Sequence, residues 1–396
     1  MSEENKAPQS QPDKPEAKSA RPAGKKPTAK KVPKKKDPVE LYQLTVEGAP
    51  HLKSKASTSR IMIVVSLALV PALVGAVIFQ GWRSLMLVLI AVFSCMAFEA
   101  AIQLLTKRKL TIADGSAALT GVLLAFNLPY NVPWWLPVVG SFAAIAIAKQ
   151  AFGGLGYNLF NPALVGRAIL LASWPVHMTA DWSPLPRLAN LSGTTIDALS
   201  SATPLAVMKH SSAVLANPAA HDPGAVSQAT QAVEQLTGPA GTAKLALGQV
   251  GGCIGETSAL LLLVGALLLI MINVVDWRIP LSYLATLFVF TAVFGGVTTP
   301  DGAFHFTGLF HLLAGGAMLG ALFMATDMVT TPVTKKGRII FGVGAGLLAA
   351  IIRLWGGYPE GVSYSILLMN AATPLIDRYT VPRFFGQRRS KEAANA

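Results

Sequence analysis

The stretch Asp197-Ala-Leu-Ser-Ser-Ala-Thr-Pro204 places a threonine hydroxyl on a turn of small residues, six positions after a carboxylate. Two readings suit it. Thr203 is a good helix N-cap, because its side-chain oxygen accepts an orphan backbone N–H while Pro204 takes the first helical position. The same hydroxyl can be esterified by a modifying enzyme. The residues alone leave both readings open, and the choice separates a plain transporter from an electron carrier.

The other reactive residues exclude more than they suggest. An iron–sulfur cluster needs about four thiolates, and the chain has two cysteines, Cys95 and Cys253. No C-x-x-C pair or C-x-x-C-H haem site occurs, and Cys95 falls inside an apolar run, so no disulfide is expected. The six histidines (51, 177, 210, 221, 305 and 311) show no i,i+3 or i,i+4 pairing that would suggest metal ligation. His305 and His311 read as interfacial polar residues at a helix start. No phosphate-binding or dinucleotide-binding fingerprint follows a strand. No catalytic residue or metal site is therefore expected, and the chain alone should neither oxidise NADH nor hydrolyse ATP.

Ionisable residues at membrane depth are costly and default to functional hypotheses. Glu99, Lys149, Arg167 and Arg353 lie inside apolar segments, with Asp114, Glu256, Asp327 and Asp377 near segment ends. Glu99 is the best single candidate for an ion or proton pathway. The alternative is a buried pair with Lys149 or Arg167 that fixes helix register. Asn161-Pro162 should cap a short helix running to Trp174.

These residues must be positioned by membrane elements. Of 396 residues 52% are hydrophobic and 13% charged, where a soluble domain carries about 25% charged; mean hydropathy is +0.49. Apolar runs of about 18 residues or more read as transmembrane: Ile61–Gln80, Ser84–Leu105, Trp134–Phe152, Ser258–Val275, Pro280–Val297, Gly308–Ala325 and Ile339–Trp355. Shorter runs, Ser116–Leu128, Pro162–Trp174 and Val362–Ile376, suit short or re-entrant helices. Counting all of them gives about ten.

The net charge of +13 is not a nucleic-acid signal, because much of it lies in a Lys/Pro/Ala-rich N-terminal tail that includes Lys34-Lys35-Lys36. That tail should be disordered and cytosolic, close to anionic lipid. Basic clusters at Lys107-Arg108-Lys109, Lys335-Lys336 and Arg388-Arg389 fall on that same side if ten helices cross. Both termini are then cytosolic, and the long polar segment carrying Thr203 is extracytoplasmic. The expected organisation is a tail (1–58), a first transmembrane repeat (59–174), the extracytoplasmic segment (175–251), a second repeat (252–378) and a cytosolic C-terminal tail (379–396). Both repeats run long, long, short, long, short. Gly121-Val-Leu-Leu-Ala-Phe is echoed by Gly320-Ala-Leu-Phe-Met-Ala, Gly153-Gly154 by Gly356-Gly357, and Asn161-Pro loosely by Asn370 to Pro374. Five crossings per repeat require the two to be inverted, an architecture of transporters and channels.

The blocks Asp114-Gly-Ser-Ala-Ala-Leu-Thr-Gly121, Pro133-Trp-Trp-Leu-Pro137, Ala148-Lys-Gln-Ala-Phe-Gly-Gly-Leu-Gly156 and Asn161-Pro-Ala-Leu-Val-Gly-Arg167 resemble one family. It is that of the D subunit of the Rnf electron-transport complex, whose relative is the B subunit of the sodium-translocating NADH:quinone reductase. The likeness runs from about residue 48 to about 386, interrupted by an Ala-rich insertion near 211–243, and leans towards the Rnf protein. In that family a threonine in D-x-x-[ST]-[GS]-A-T carries FMN as a phosphoester, attached by a flavin transferase. Asp197, Ser200, Ser201, Ala202 and Thr203 match it, with Ser201 where glycine is commoner. The resemblance further implies a second, non-covalent flavin (riboflavin) and an all-α fold similar to urea and ammonium channels. It implies partner subunits that carry an extracytoplasmic FMN and iron–sulfur centres, and a place in a bacterial inner membrane. The chain would then be one part of a redox-driven translocase coupled to Na⁺ or H⁺. Lys209, about two turns beyond Thr203, is within reach of a phosphate if the segment folds back; an exposed helix end is the alternative. The rival from another class is a non-redox small-solute channel on the same scaffold.

Overall fold

The computed structural model describes residues 57–179, 203–256, 258–300, 302–358 and 360–382. They are nearly all helical. The first group is α1 (Thr58–Gln80), α2 (Trp82–Leu105), α3 (Ser116–Phe126), α4 (Trp135–Phe142) and α5 (Pro162–Ser173). α4 runs on as a π-helix over Ala143–Gln150, and a short α6 (Pro175–Thr179) follows α5. A second group is α7 (Pro204–Ala216), α8 (Pro223–Thr237) and α9 (Pro239–Leu247). The third is α10 (Ala259–Met271), α11 (Arg278–Phe294), α12 (Gly308–Leu313), α13 (Ala317–Leu319), α14 (Lys335–Trp355) and α15 (Val362–Thr380). Two short antiparallel strands, β1 (Val297–Thr298) and β2 (Phe304–His305), lie between α11 and α12.

Three helices, α1, α2 and α14, are long and apolar enough to cross a bilayer. Leu67, Val74 and Phe93 on α1 and α2 are exposed although large and apolar; lipid is the solvent that such a surface suits. One core unites the first and third groups, with Leu69, Leu124, Phe126, Leu136, Leu164, Tyr283, Phe341 and Ile366 buried in it. Contacts are made by backbones in close approach. At Gly265 a Cβ would lie 2.1 Å from the carbonyl of Ala68, so α10 sits directly on α1. At Gly346 a Cβ would lie 2.5 Å from the carbonyl of Tyr283, where α14 meets α11. In lipid this packing replaces the hydrophobic drive that water supplies elsewhere.

The expected span Gly308–Ala325 is not one helix. α12 stops at Leu313, Gly315 and Gly316 adopt left-handed φ of 63° and 67°, and α13 restarts at Ala317 before turning into a π-helix over Gly320–Met324. Glycine enters that region without the Cβ clash that other residues meet. The freed carbonyls need donors, and Arg353 of α14 supplies them to His311, Ala314 (2.9 Å) and Gly315 (2.7 Å). The Ala-rich insertion near 211–243 folds too. It forms most of α7 and α8, which close with α9 over a small core of Leu205, Met208, Leu215, Val233 and Phe310.

Candidate functional site

Thr203 caps α7 as its sequence suggested. The N–H of Ala206 donates to Thr203 Oγ1 at 3.2 Å, Pro204 follows at the first helical position, and Thr203 is only 5% exposed. Asp197, Ser200, Ser201 and Ala202 lie outside the described residues. Downstream, Lys209 donates to the carbonyls of Gly356 and of Tyr358 (3.3 Å), which close the C-terminus of α14. A cation there complements the negative end of the helix dipole. Burial pushes the Lys209 ammonium below its ordinary value. His210, next to it, is exposed.

Between α7 and the ends of α11, α12 and α14 runs a groove of about 500 Å³, inside the range of about 300–1,000 Å³ usual for small-molecule pockets. Leu205, Met208, Lys209, His311, Arg353 and Trp355 are among its lining residues. His311 was expected at an interface, but it is buried in α12 with Nδ1 lacking a hydrogen-bond partner. Arg353 is 3% exposed and its Nε also lacks one. Buried polar groups are normally satisfied, and these two nitrogens are exceptions among the described residues. The signal in the sequence was only that Arg353 lies in an apolar run. Its meeting with Lys209 and His311 required the fold.

Glu99 lies elsewhere, within the bundle. Lys149 Nζ donates to it at 2.9 Å, both side chains are 1% exposed, and Gln150 and Gln103 donate at 2.9 and 3.2 Å. Lys149 also donates to Ser116 Oγ at 2.6 Å, at the start of α3. Glu99 thus has the buried partner that the register reading required. Arg167 takes a different acid, Glu360, and donates to Asn127 Oδ1 at 2.8 Å. Asn161 caps α5, accepting from Ala163 and Leu164. Asn370, its loose echo, sits in the middle of α15 rather than at a cap, so those positions are not equivalent.

A small apolar-lined cavity of about 100 Å³ lies near Ile61, Ser116, Lys149, Asn161 and Asp327.

Long apolar helices, lipid-suited exposed faces and a helix broken inside the bundle define a multi-pass membrane protein. Sequence comparison is more specific: the chain belongs to the NQR2, RnfD, RnfE family, which it matches over residues 45–386. The D subunit of the Na⁺-translocating ferredoxin:NAD⁺ oxidoreductase complex of Acetobacterium woodii is 48% identical over 354 residues, 89% of this chain and 98% of that one. The D subunit of the proton-translocating ferredoxin:NAD⁺ oxidoreductase complex of Clostridium ljungdahlii is 44% identical, covering 87% of this chain and 97% of that one. The D subunit of the ion-translocating oxidoreductase complex of Escherichia coli (strain SE11) is 38% identical over 370 residues, 87% of this chain and 99% of that one.

Proposed function

We propose that this chain is the D subunit of an ion-translocating ferredoxin:NAD oxidoreductase complex in a bacterial inner membrane, and that it relays electrons through FMN ester-linked to Thr203. Near-full-length likeness to two such proteins, and to the D subunit of an ion-translocating oxidoreductase complex, supports the complex. The observation that supports the cofactor is the position of Thr203 at the start of a helix whose following turns line a groove flanked by Lys209 and Arg353. Positive charge beside that groove suits an anionic group. FMN bound there would supply one- and two-electron redox chemistry that no side chain of this protein provides.

The chain's own residues then have separable roles. Thr203 holds the phosphate through its oxygen, which still accepts the N–H of Ala206 as an ester. Lys209 and Arg353 place positive charge beside the groove, and Trp355 walls it. With Thr203 this buried, the transferase must act before α7 docks, or while it is lifted. The partner subunits carrying iron–sulfur centres and a further FMN, and the soluble redox partners, lie outside this chain. A second, non-covalent flavin is part of the reading without an assigned site.

We also infer two inverted five-helix repeats, making about ten crossings with both termini cytosolic and Thr203 extracytoplasmic. The packing supports it: α1 packs on α10 and α5 on α15, and the pairs α2–α4 and α4–α5 are matched by α11–α14 and α14–α15. Lys149 and Arg353 act alike, each reaching from the fourth helix of its repeat to the left-handed glycine turn that opens a third-helix segment. The B subunit of a quinone reductase is the second reading within the family, and quinone reduction by the purified complex would favour it.

The test of the cofactor is in-gel flavin fluorescence of the denatured chain expressed with a flavin transferase. Wild type should fluoresce and Thr203→Ala should not. A dark wild-type band beside a working transferase contradicts the proposal and favours a non-redox solute channel.

A further inference from the structure

Where the short turn before α10 meets the start of α15, three side chains with metal-ligand chemistry converge, and none of them lines the groove beside Thr203. Cys253 precedes the one-turn helix Ile254–Glu256 and Glu256 ends it, and Glu360 lies just before α15. The Cys253 Sγ and one carboxylate oxygen each of Glu256 and Glu360 all lie within 4.8 Å of one another.

The turn is held firmly. Gln80 Nε2 donates to the carbonyls of Gly252 and Cys253 at 3.4 Å, and the N–H of Ile254 donates to Leu128 O at 2.9 Å. The Glu256 carboxylate is wedged between two glycines: a Cβ at Gly252 would lie 2.9 Å from Oε2, and one at Gly316 would lie 2.8 Å from Oε1. Oε2 accepts the N–H of Cys253 at 3.4 Å, whereas Oε1 is shielded from solvent and has no hydrogen-bond partner. Cys253 is 1% exposed. A buried carboxylate oxygen left without a partner is costly, and it belongs to a carboxylate that meets a thiol and a second carboxylate.

We propose that Cys253, Glu256 and Glu360 bind one divalent ion of the zinc class, with the fourth position taken by water. A thiolate with two carboxylates is a donor set for borderline ions such as Zn²⁺ rather than for Ca²⁺ or Mg²⁺, which take oxygen alone. The charge balance favours occupation. Binding releases the thiol proton to water, so three anionic ligands face the ion's two positive charges and the guanidinium of Arg167, which is paired with Glu360. The sum is zero, where the ion-free cluster with a neutral thiol carries two carboxylates against one arginine. The ion would pin the entrance of α10 to the entrance of α15. It would do so next to Gly316, whose position for a Cβ is 2.8 Å from Glu256 Oε1, one residue after Gly315, whose own Cβ position is 2.7 Å from Leu205 of α7. The site does not depend on whether Thr203 carries a flavin.

The experiment uses the purified full-length chain in detergent, stripped with chelator and then equilibrated with Zn²⁺ or Cd²⁺. One ion per chain should survive desalting, with one proton released on binding. Zinc-edge X-ray absorption should give one sulfur neighbour at about 2.3 Å with oxygen neighbours at about 2.0–2.2 Å. The cadmium form should show a thiolate-to-metal absorption band that Cys253→Ser abolishes and Cys95→Ser leaves intact. Glu256→Gln should weaken binding by more than about tenfold. An ion that does not survive desalting, a bound ion without a sulfur neighbour, or a band that persists in Cys253→Ser overturns the site. The absorption spectrum of the wild-type chain decides the matter even if the variants do not fold.

Discussion

Thr203 caps α7, and the proposed flavin attachment uses the same oxygen, so the two roles separate by substitution. Thr203→Ala removes the cap and the attachment oxygen together, so it should lose all flavin fluorescence and about 1 kcal/mol of stability. Thr203→Asn should keep the cap and its stability but still lose the fluorescence, which makes the pair diagnostic. The Glu99–Lys149 pair is the second test at this scale. Glu99→Gln leaves a buried ammonium without its carboxylate and should destabilise by about 3–5 kcal/mol, whereas Glu99→Leu with Lys149→Met should recover most of that loss. If the double variant is stable yet ion transport by the assembled complex is abolished, Glu99 belongs to the ion path and not only to the register. The sequence named Lys149 as one of two partners for Glu99, because buried charges must pair. It did not foresee that Arg167 pairs with Glu360, since nothing local links residues so far apart in the chain. The Thr203 cap was legible for the opposite reason: capping is decided within four residues. The groove beside it was not, because Lys209, His311 and Arg353 come from three elements.

The helices were largely readable from apolar runs, with ends set by caps such as Asn161, Ser258 and Thr334. The failure at Gly308–Ala325 is physical. Hydropathy counts Gly and Ala as apolar but is blind to φ, and two successive left-handed glycines end a helix whatever their polarity. The π-turns of Ala143–Gln150 and Gly320–Met324 leave no mark in composition either. Glycine contacts give a sharp test of the packing. Gly265→Ala should push a methyl into the Ala68 carbonyl and cost about 1–3 kcal/mol, read as a lower melting temperature in detergent. Gly224→Ala, with open space around its Cβ, serves as the control. At the loop before α11, Asp276 accepts from Arg278 (2.9 Å) and Arg338 (2.6 Å) and so ties that loop to α14. Burial alone would raise its carboxyl, but the Arg278 N–H and the two guanidiniums outweigh it and hold the carboxyl below its ordinary value. A group lowered in the folded state stabilises above the unfolded value of about 4 and loses that contribution as pH falls through the lowered one. The melting difference between wild type and Asp276→Asn should therefore be present at neutral pH, modest because the pair is partly exposed, and should vanish in acid.

Across the whole molecule, the lipid-facing belt, the unified core and the helical lid formed by α7, α8 and α9 divide the labour between anchoring and presentation. The overall class followed from hydropathy and charge, and the family from four short blocks of sequence. The lid did not, because nothing local in an Ala-rich insertion says which helices its apolar faces pack against. On the proposed reading a tethered flavin would make it a carrier, so the most direct measurement is the intact mass of the chain purified from cells that contain a flavin transferase, followed by peptide mapping. The expected result is an increment equal to one esterified FMN, located on the peptide that contains Thr203. An unmodified mass, or the increment on another residue, would contradict the assignment of Thr203 as the electron-carrying site.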